Sequence, residues 1–356
     1  MIEFLSQTGI VLTVIFILLS LIYLLLLFIL VVRILEQVRN RRERNFIKRW
    51  EEKIFEYLAD DVSPIQVVKL FPKSSYKYLL QNLRSYLLTL KGNDLVKLKQ
   101  LINETELYDY LLGQLKSFRK KKIVFGAYYL GLAEAENAKF ILRKKLKHRS
   151  EYVFLTSALS LARINDTDSL DLIFFRASKF KNLSKDTLQS ILLEFDESVC
   201  RSLMIGLHIE TSPVFKSIII ATLRHFKYSP AAPHVLPVLL QEETIDIVLE
   251  ALKYFGQIEY MEAAAAIRFY LLNPRSEIKV EAIKAALKIG EATLEDRIWS
   301  LIYDKDRNVK VSAAEASYKY SEHSREKLKQ LAYSIPNTIE SSIARMIISE
   351  KTIHLN

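Results

Sequence analysis

The sequence holds few residues that cross-link a chain or break a helix. Its 356 residues include one cysteine, eight glycines and eight prolines. The single cysteine, Cys200, excludes an intrachain disulfide and is typical of a reducing compartment. Turn-forming residues are too scarce for a many-stranded sheet, whereas Leu, Ile, Lys, Glu and Ala dominate and favour helices. The composition therefore predicts an all-α protein.

Motifs for common catalytic chemistry are also missing from the sequence. The glycines form neither a G-x-G-x-x-G nor a G-x-x-x-x-G-K-[ST] phosphate loop, and the six histidines show no H-E-x-x-H spacing. Two D-x-D triplets, at 166–168 and 304–306, suggest a metal–nucleotide site of a glycosyltransferase, but a turn or a helix N-cap explains both. We expect no catalytic residue, no metal site and no cofactor, and we interpret the chain as not an enzyme.

The longest apolar run covers residues 10–32, twenty-three residues without a charge. As one helix it spans about 34 Å, enough to cross a hydrocarbon core of about 30 Å, so it predicts a transmembrane anchor. A cleaved signal peptide fits less well, because residues 1–9 hold no Lys or Arg. The bases that follow predict a single-pass inner-membrane protein with its N-terminus outside and its C-terminal part in the cytoplasm. These membrane-orienting bases are Arg33, Arg39, Arg41, Arg42 and Arg44.

One face of this run carries small, hydroxylated and aromatic residues. They recur at alternating spacings of four and three positions, whereas the other faces are almost wholly Leu, Ile and Val. Small and hydroxylated side chains permit close helix approach and an interhelical hydrogen bond, so this face predicts a contact with a partner helix. Chance placement is the alternative. The residues are Gly9, Thr13, Phe16, Ser20 and Tyr23.

Two stretches in the C-terminal half, 271–290 and 301–321, match in register. Each ends one helix, turns, and begins a second helix, and a shift of 31 residues superimposes Ile278 on Val309. Applied repeatedly toward the N-terminus, the shift marks one equivalent position near the end of each second helix. Successive positions are 29 to 34 residues apart. This periodicity predicts a stacked array of helical pairs. The positions are Leu130, Leu161, Leu192, Phe226, Phe255, Ile289 and Tyr320.

The two best repeats share a leucine-rich helix end, a turn with Pro or Asp, a β-branched residue with a base, and then alanines. One repeat carries Leu271, Pro274, Ile278, Lys279, Ala282, Ala285 and Leu287, and the next carries Leu301, Asp304, Asp306, Val309, Lys310, Ala313, Ala314 and Ala316. This pattern resembles the HEAT-repeat family, in a membrane-anchored bacterial type. The resemblance implies an α-solenoid that binds proteins and implies no reaction.

The resemblance varies along the chain. It is best over 243–333 and extends to 120–180, whereas four prolines interrupt the pattern at 181–241. Lys279 and Lys310 stand where the family has Arg, so we expect a weaker ladder of ion pairs from repeat to repeat.

Bases are concentrated between residues 116 and 149, which hold eleven Lys or Arg against two Glu. They include two runs at predicted helix ends, 119–122 and 144–149, and stacking places the runs on neighbouring edges. The cluster predicts binding to an anionic surface, either lipid headgroups or an acidic partner, with a solvated helix face as the alternative. The candidate residues are Arg119, Lys120, Lys121, Lys122, Arg143, Lys144, Lys145 and Lys147.

These patterns predict four segments and a function. The segments are a transmembrane anchor at 1–32, a basic juxtamembrane helix at 33–58, an irregular helical cap at 59–115 and a HEAT-like solenoid at 116–356. We interpret the chain as a membrane-tethered, non-catalytic scaffold for a membrane-associated protein partner, by family analogy a complex such as a polysaccharide-synthesising glycosyltransferase. A nucleic-acid-binding repeat protein is the alternative, disfavoured because acids stand beside the tyrosines of the later repeats. We expect no small-molecule substrate.

Overall fold

The computed structural model describes residues 19–34, 37, 49–59, 62–210, 212–334 and 338–353. Across these residues the regular secondary structure is helical, with short 3-10 turns and no strand. The prediction of an all-α protein is therefore confirmed. The chain divides into two compact units, Met1–Gln114 and Leu115–Asn356.

The predicted transmembrane anchor requires a correction. Residues 10–18 lie outside the described residues, and the helical residues 19–34 span about 24 Å, less than a hydrocarbon core of about 30 Å. Within the described residues, no helix combines the length and the apolarity needed to cross a membrane. This finding contradicts the prediction of a single-pass inner-membrane protein with a cytoplasmic C-terminal part. Of the membrane-orienting bases, Arg33 belongs to helix 19–34, and Arg39, Arg41, Arg42 and Arg44 lie outside the described residues.

The first unit combines a helical segment, residues 49–58, with four further helices. These are α1 (Pro64–Lys69), α2 (Tyr76–Thr89), α3 (Asn93–Asn103) and α4 (Glu106–Leu115). Trp50 is fully buried and meets Phe71 edge to face, with 5.1 Å between the ring centroids. The Tyr57 hydroxyl donates a hydrogen bond of 2.8 Å to the Lys97 carbonyl oxygen. Aromatic side chains therefore attach segment 49–58 to the rest of this unit.

The second unit is built from two layers of helices. The first layer consists of α5 (Lys120–Leu132), α7 (Glu151–Arg163), α9 (Lys185–Leu192), α11 (Pro213–His225), α13 (Ile245–Ile258), α15 (Ser276–Ile289), α17 (Arg307–Tyr320) and α19 (Ile339–Ile353). The second layer consists of α6 (Lys139–Leu146), α8 (Leu170–Ala177), α10 (Val199–Ile209), α12 (Ala232–Gln241), α14 (Ala264–Tyr270), α16 (Glu295–Ser300) and α18 (Glu322–Ser334). Each first-layer helix contacts the next one along the chain, which makes this unit an α-solenoid of helical pairs.

The period of the array agrees with the sequence pattern. First-layer helices begin 28 to 34 residues apart, from residue 120 to residue 339. All seven equivalent positions marked by the 31-residue shift lie in a first-layer helix or directly after it. Leu130, Leu161, Leu192 and Phe255 are fully buried among them, so the repeat supplies the core between the helices.

The four prolines at 213–237 do not interrupt the array. Pro213 occupies the first position of α11, and Pro233 lies in the first turn of α12, where a missing backbone N–H costs nothing. Pro230 stands in the 3-10 turn Ser229–Ala231, and Pro237 lies inside α12. The family pattern is lost here, but the helical pairs continue.

A left-handed residue recurs in the turns from the first layer to the second. Glu134, Asn165, Lys227 and Glu259 have φ of 48°, 56°, 51° and 54°, and Gly290 has φ of 68°. The Asn165 backbone N–H donates to the Ala162 carbonyl oxygen, and the Asp166 backbone N–H donates to the Leu161 carbonyl oxygen. These are the two hydrogen bonds of a Schellman motif. A left-handed conformation costs a residue with a side chain about 1–2 kcal/mol. The four non-glycine residues therefore adopt this conformation because the turn requires it, and not because they prefer it.

A glycine sets the closest approach between α5 and α7. A Cβ atom added at Gly131 would lie 2.6 Å from the Ser160 Cα atom. The Ser160 hydroxyl donates a hydrogen bond of 2.7 Å to the Ala127 carbonyl oxygen across the same contact. Only glycine fits at this crossing without a backbone shift.

Candidate binding surface on the edges of the array

The two-layer topology gives the array two edges. Loops from the second layer into the first lie at one edge, and tight turns from the first layer into the second lie at the other. The basic edge comprises the loops 116–119, 147–150 and 178–184 with the helix turns that flank them. The acidic edge comprises the turns 133–138, 164–169 and 193–198. The three loops hold no Asp or Glu, and the three turns hold no Lys or Arg.

The structure brings the two predicted basic runs together around His148. Burial lowers the pKa of His148 below its ordinary value, and the charges of Lys145, Lys120 and Arg149 lower this pKa further. Lys120 belongs to the first run, and the other two bases belong to the second. The His148 ring accepts a hydrogen bond of 3.0 Å at Nδ1 from the Ser150 backbone N–H. Bases that are distant in sequence therefore share one surface.

A third basic run, missed at the sequence level, extends the edge. Arg176 at the end of α8 donates hydrogen bonds to the carbonyl oxygens of Leu146 and His148, of 3.3 and 3.2 Å. Lys179 and Lys181 follow in the next loop, and both are exposed. The 31-residue shift applied to 144–149 leads to this run, so the repeat itself was the signal that identifies it.

Most basic-edge cations are not neutralised within the protein. Among the described residues, twelve of them form no ion pair with a carboxylate, whereas Lys185 in the first turn of α9 pairs with Asp246. Lys144 lies 4.1 Å from the centroid of the exposed Phe140 ring, a cation–π contact. We call these bases unpaired because they have no carboxylate partner. They are Lys116, Arg119, Lys120, Lys121, Lys122, Lys144, Lys145, Lys147, Arg149, Arg176, Lys179 and Lys181.

Arg143 is the one candidate base that the structure places elsewhere. Its guanidinium Nε donates to Asp166 Oδ2 at 2.6 Å, and Nη2 donates to Asp166 Oδ1 and, at 3.0 Å, to Asp168. Asp166 is only 4% exposed, so this bidentate pair joins α6 to the next repeat. Arg143 therefore belongs to the packing of the array.

The acidic edge is paired internally. Arg163 Nε bonds to Glu194 at 2.8 Å, and Asn165 Nδ2 bonds to Asp196 at 2.6 Å. Hydrogen bonds from the side chain and the backbone N–H of Ser198 hold the pKa of Asp196 below its ordinary value. The bonds to Glu194 and from Asn165 to Asp196 cross from one helical pair to the next, so these acids serve the stacking of the repeats.

The later repeats continue a ladder of ion pairs. Lys279 contacts Asp304, and Lys310 contacts Glu340 in the following pair. Burial raises the pKa of Asp304, but hydrogen bonds from Lys279 and from the Asp306 backbone N–H outweigh it and keep this pKa low. Lys279 and Lys310 thus link consecutive helical pairs.

Both D-x-D triplets have structural roles. In the first triplet, Asp166 and Asp168 bind Arg143. In the second, Asp304 pairs with Lys279, and Asp306 caps α17 by accepting from two backbone N–H groups. Among the described residues, no group of three or more His, Cys, Asp or Glu side chains is arranged to hold a metal ion.

The remaining sequence candidates are Cys200 and the predicted partner-helix face. Cys200 is fully buried, and burial raises the pKa of its thiol to about 12, so the thiol stays protonated at neutral pH. Ser20 and Tyr23 lie in helix 19–34 with exposed side chains. Gly9, Thr13 and Phe16 of the predicted partner-helix face lie outside the described residues, so that contact stays a prediction.

The chain matches no protein-family model and no curated protein. It is similar to solved structures at low identity. YibA from Escherichia coli is 16% identical, covering 70% of this chain and 93% of YibA, with a TM-score of 0.39. The CpcE–CpcF complex of phycocyanin lyase from Nostoc sp. PCC7120 is 14% identical, covering 68% of this chain and 94% of that chain, with a TM-score of 0.31. Human deoxyhypusine hydroxylase is 17% identical, covering 78% and 99%, with a TM-score of 0.31.

Proposed function

We propose that the chain is a non-catalytic helical-repeat scaffold that binds an acidic surface of a partner protein at its basic edge. The observation that carries this proposal is the collection of unpaired cations along three consecutive loops of one edge. Charged groups that a fold uses for its own packing find partners within the fold, as the acids of the opposite edge do. A surface of like charges without partners is an electrostatic binding surface for a ligand of opposite sign.

The extent of the basic edge favours a protein partner. Farther along this edge, Glu210 follows α10, and Glu242 and Glu243 follow α12, so the positive stripe ends after three loops. Neighbouring helices pack about 10 Å apart, which makes the stripe roughly 20–30 Å long. This length suits a compact acidic patch. A nucleic-acid solenoid more often continues its positive charge along the whole array.

We infer further that the array is of the HEAT type. Lys279 and Lys310 follow a β-branched residue near the start of α15 and α17, and each reaches an acid of the next pair. Proline or aspartate precedes each of these helices at the turn, as the family pattern has it. A HEAT-type array is a protein-binding scaffold by analogy, which agrees with the proposed function.

Single-stranded nucleic acid is the second candidate ligand, and one observation favours it. Phe118 is fully exposed, and Phe140 and Tyr152 are mostly exposed, beside the bases of the first two runs. Exposed aromatic rings among unpaired bases provide stacking platforms for successive nucleobases, worth about 1–3 kcal/mol per base. Replacement of Phe118 and Tyr152 by Ala separates the candidates, because it weakens stacking and leaves the charge unchanged.

The test measures binding of three labelled probes to the full chain by fluorescence anisotropy. The probes are a Glu/Ser peptide, a single-stranded oligonucleotide and vesicles with anionic lipid. We expect the peptide to bind at low salt and more weakly at high salt. Replacement of Lys120, Lys121, Lys144 and Lys145 by Glu abolishes this binding.

The matched control reverses the same number of charges outside the basic edge, at Lys288, Lys305, Arg307 and Lys319, all exposed. This variant has the same net charge and retains peptide binding. Equal loss in both variants would show a response to net charge alone and overturn the proposal. A preference for the oligonucleotide that depends on Phe118 and Tyr152 would favour nucleic acid. A preference for the vesicles would identify a lipid surface.

A further inference from the structure

The repeat pattern is most irregular around α9, and an open groove lies beside it. Helix α9 has eight residues, whereas α7 and α11 have 13 each. The groove runs between α8 and α10 and reaches the first turns of α11, with a volume of about 700 Å³. It opens where the second-layer helices of neighbouring pairs leave space between them.

The groove is apolar and open to solvent. Phe174 and Phe215 line it with their rings 5.3 Å apart, between centroids. Phe175, Ile205 and Ile209 also line it and are 58%, 56% and 76% exposed. Several large apolar side chains exposed along one concave surface are typical of a site for an apolar partner.

The charged side chains that line the groove have one sign. Asp168, Asp171 and Glu210 line it, and no Lys or Arg is present among the described residues that line it. Asp168 already binds Arg143, and the Glu210 carboxylate accepts a hydrogen bond of 2.7 Å from the Ser212 backbone N–H. A carboxylate accepts up to about four hydrogen bonds, so each acid keeps further acceptor capacity. An occupant with an apolar face and basic flanks therefore complements the site.

A glycine on the wall of the groove permits close backbone approach. Gly206 lies inside α10, where glycine is less favourable than alanine. A Cβ atom added there would meet no other atom within 4 Å, so packing within the fold does not require glycine. Its missing side chain leaves room on the groove wall for another chain.

We propose that this groove binds one amphipathic α-helix of a partner protein, with an apolar face toward the groove and Lys or Arg on its flanks. Helix α10, the longer wall, spans about 16 Å, which matches three turns of such a helix. Apolar side chains at positions i, i+3 or i+4, and i+7 of the partner helix occupy the groove. The basic flanks face Asp171 and Glu210. This site borders the basic edge at Ser178 and at Phe175, where Lys179 Nζ lies 5.0 Å from the ring centroid, but its lining takes a partner of the opposite charge.

The test uses synthetic amphipathic peptides of about fourteen residues as probes. One has a leucine face and lysine flanks, and the other has the same leucine face and glutamine flanks. We expect the Leu/Lys peptide to bind the full chain, and the Leu/Gln peptide to bind at least about fivefold more weakly, because only the first complements the acids. Gly206→Trp fills the groove and weakens the Leu/Lys peptide at least about tenfold.

Gly113→Trp is the matched control, because Gly113 also lies in a helix and its added Cβ meets no atom within 4 Å. It leaves binding unchanged. The double variant Asp171→Asn with Glu210→Gln keeps the side-chain sizes, removes both charges and weakens the Leu/Lys peptide by at least about fivefold, so the test does not depend on one variant that folds poorly. Circular dichroism and thermal melting verify the fold of each variant.

The proposal falls if Gly206→Trp and the wild type bind the Leu/Lys peptide equally, if the two peptides bind equally, or if neither binds. It also falls if the wild type self-associates in sedimentation and Gly206→Trp is monomeric, because the occupant is then a second copy. The basic-edge charge reversal leaves Leu/Lys binding intact, and Gly206→Trp leaves Glu/Ser binding intact. The failure of one proposal is therefore distinguishable from the failure of the other.

Discussion

The two edges of the first three helical pairs carry opposite charge and use it differently. On the acidic edge, Asp166, Glu194 and Asp196 bond to residues of the neighbouring pair. On the basic edge, bases of both predicted runs and Arg176 surround the 147–150 loop, and within the described residues none of the unpaired set forms an ion pair with a carboxylate. Charge that faces a partner in the fold contributes to stability, and charge without one is available for binding. The comparison predicts that substitutions on the acidic edge change stability and those on the basic edge change affinity.

The largest expected effect follows from removing Arg143. Arg143→Met leaves the buried Asp166 carboxylate without its bidentate partner, which costs about 2 kcal/mol of the free energy of unfolding. Arg149→Met on the basic edge changes the same quantity by less than about 0.5 kcal/mol, because Arg149 is exposed and unpaired. Urea unfolding followed by circular dichroism measures both. An equal loss for the two variants would contradict the division between the edges.

A smaller effect follows from the left-handed turn residues. Lys227→Gly removes the steric cost of a positive φ and raises the free energy of unfolding by about 1 kcal/mol. Gly290→Ala lowers it by about as much, and the added Cβ meets no atom within 4 Å, so this cost comes from the backbone alone. Thermal melts of both variants check the signs. Two shifts of the same sign would show that side-chain charge, and not backbone geometry, governs these turns.

The smallest effect is the pH dependence of binding at the basic edge. The pKa of His148 lies below its ordinary value of 6.5 in the free protein, because of burial and of the bases around it. An acidic ligand neutralises those bases, so its binding raises the pKa of His148 and takes up a proton. Affinity for the Glu/Ser peptide therefore increases as pH falls below about 6.5 and is constant above about pH 7.5. Seen from the ligand, this is the same coupling, because protonation of His148 adds a positive charge to the edge and increases the affinity for an acidic peptide.

Titration by NMR with and without the peptide follows the pKa of His148 directly. His148→Gln removes this pH dependence and retains binding above pH 7.5, where the wild-type ring is neutral. A pKa that the peptide leaves unchanged, or an unaltered pH profile in His148→Gln, would show that the ligand binds away from the 147–150 loop.

The sequence predicted the helical pairs well because their signal is local. The equivalent core positions Leu130, Leu161 and Leu192 are buried by a periodicity that can be counted along the chain. The sequence did not show which bases have a carboxylate partner in the fold and which do not. Arg143 looks like its neighbour Lys144 in sequence, and its contact with Asp166, 23 residues away, depends on how the pairs stack.

Two further features depended on geometry that single residues do not encode. The groove lies between α8 and α10, which become neighbours only in the packed array, and the role of Gly206 depends on the empty space next to it. The length of an apolar run was also an incomplete guide, since residues 10–32 predicted a membrane span that the described helices do not provide. Local sequence patterns therefore predicted the helices, whereas the groove and the charged edges could be recognised only in the packed array.

The short helix α9 also bears on the cooperativity of unfolding. In a linear array each repeat is stabilised by its nearest neighbours, so the smallest interface sets where the array separates into independent blocks. Helix α9 offers eight residues to its neighbours, whereas α11 to α17 of the first layer offer 13 or 14. Local opening and amide hydrogen exchange accordingly concentrate at this seam, with α5–α8 on one side and α10–α19 on the other. A helix bound between α8 and α10 bridges the seam, so partner binding makes the two blocks unfold as one.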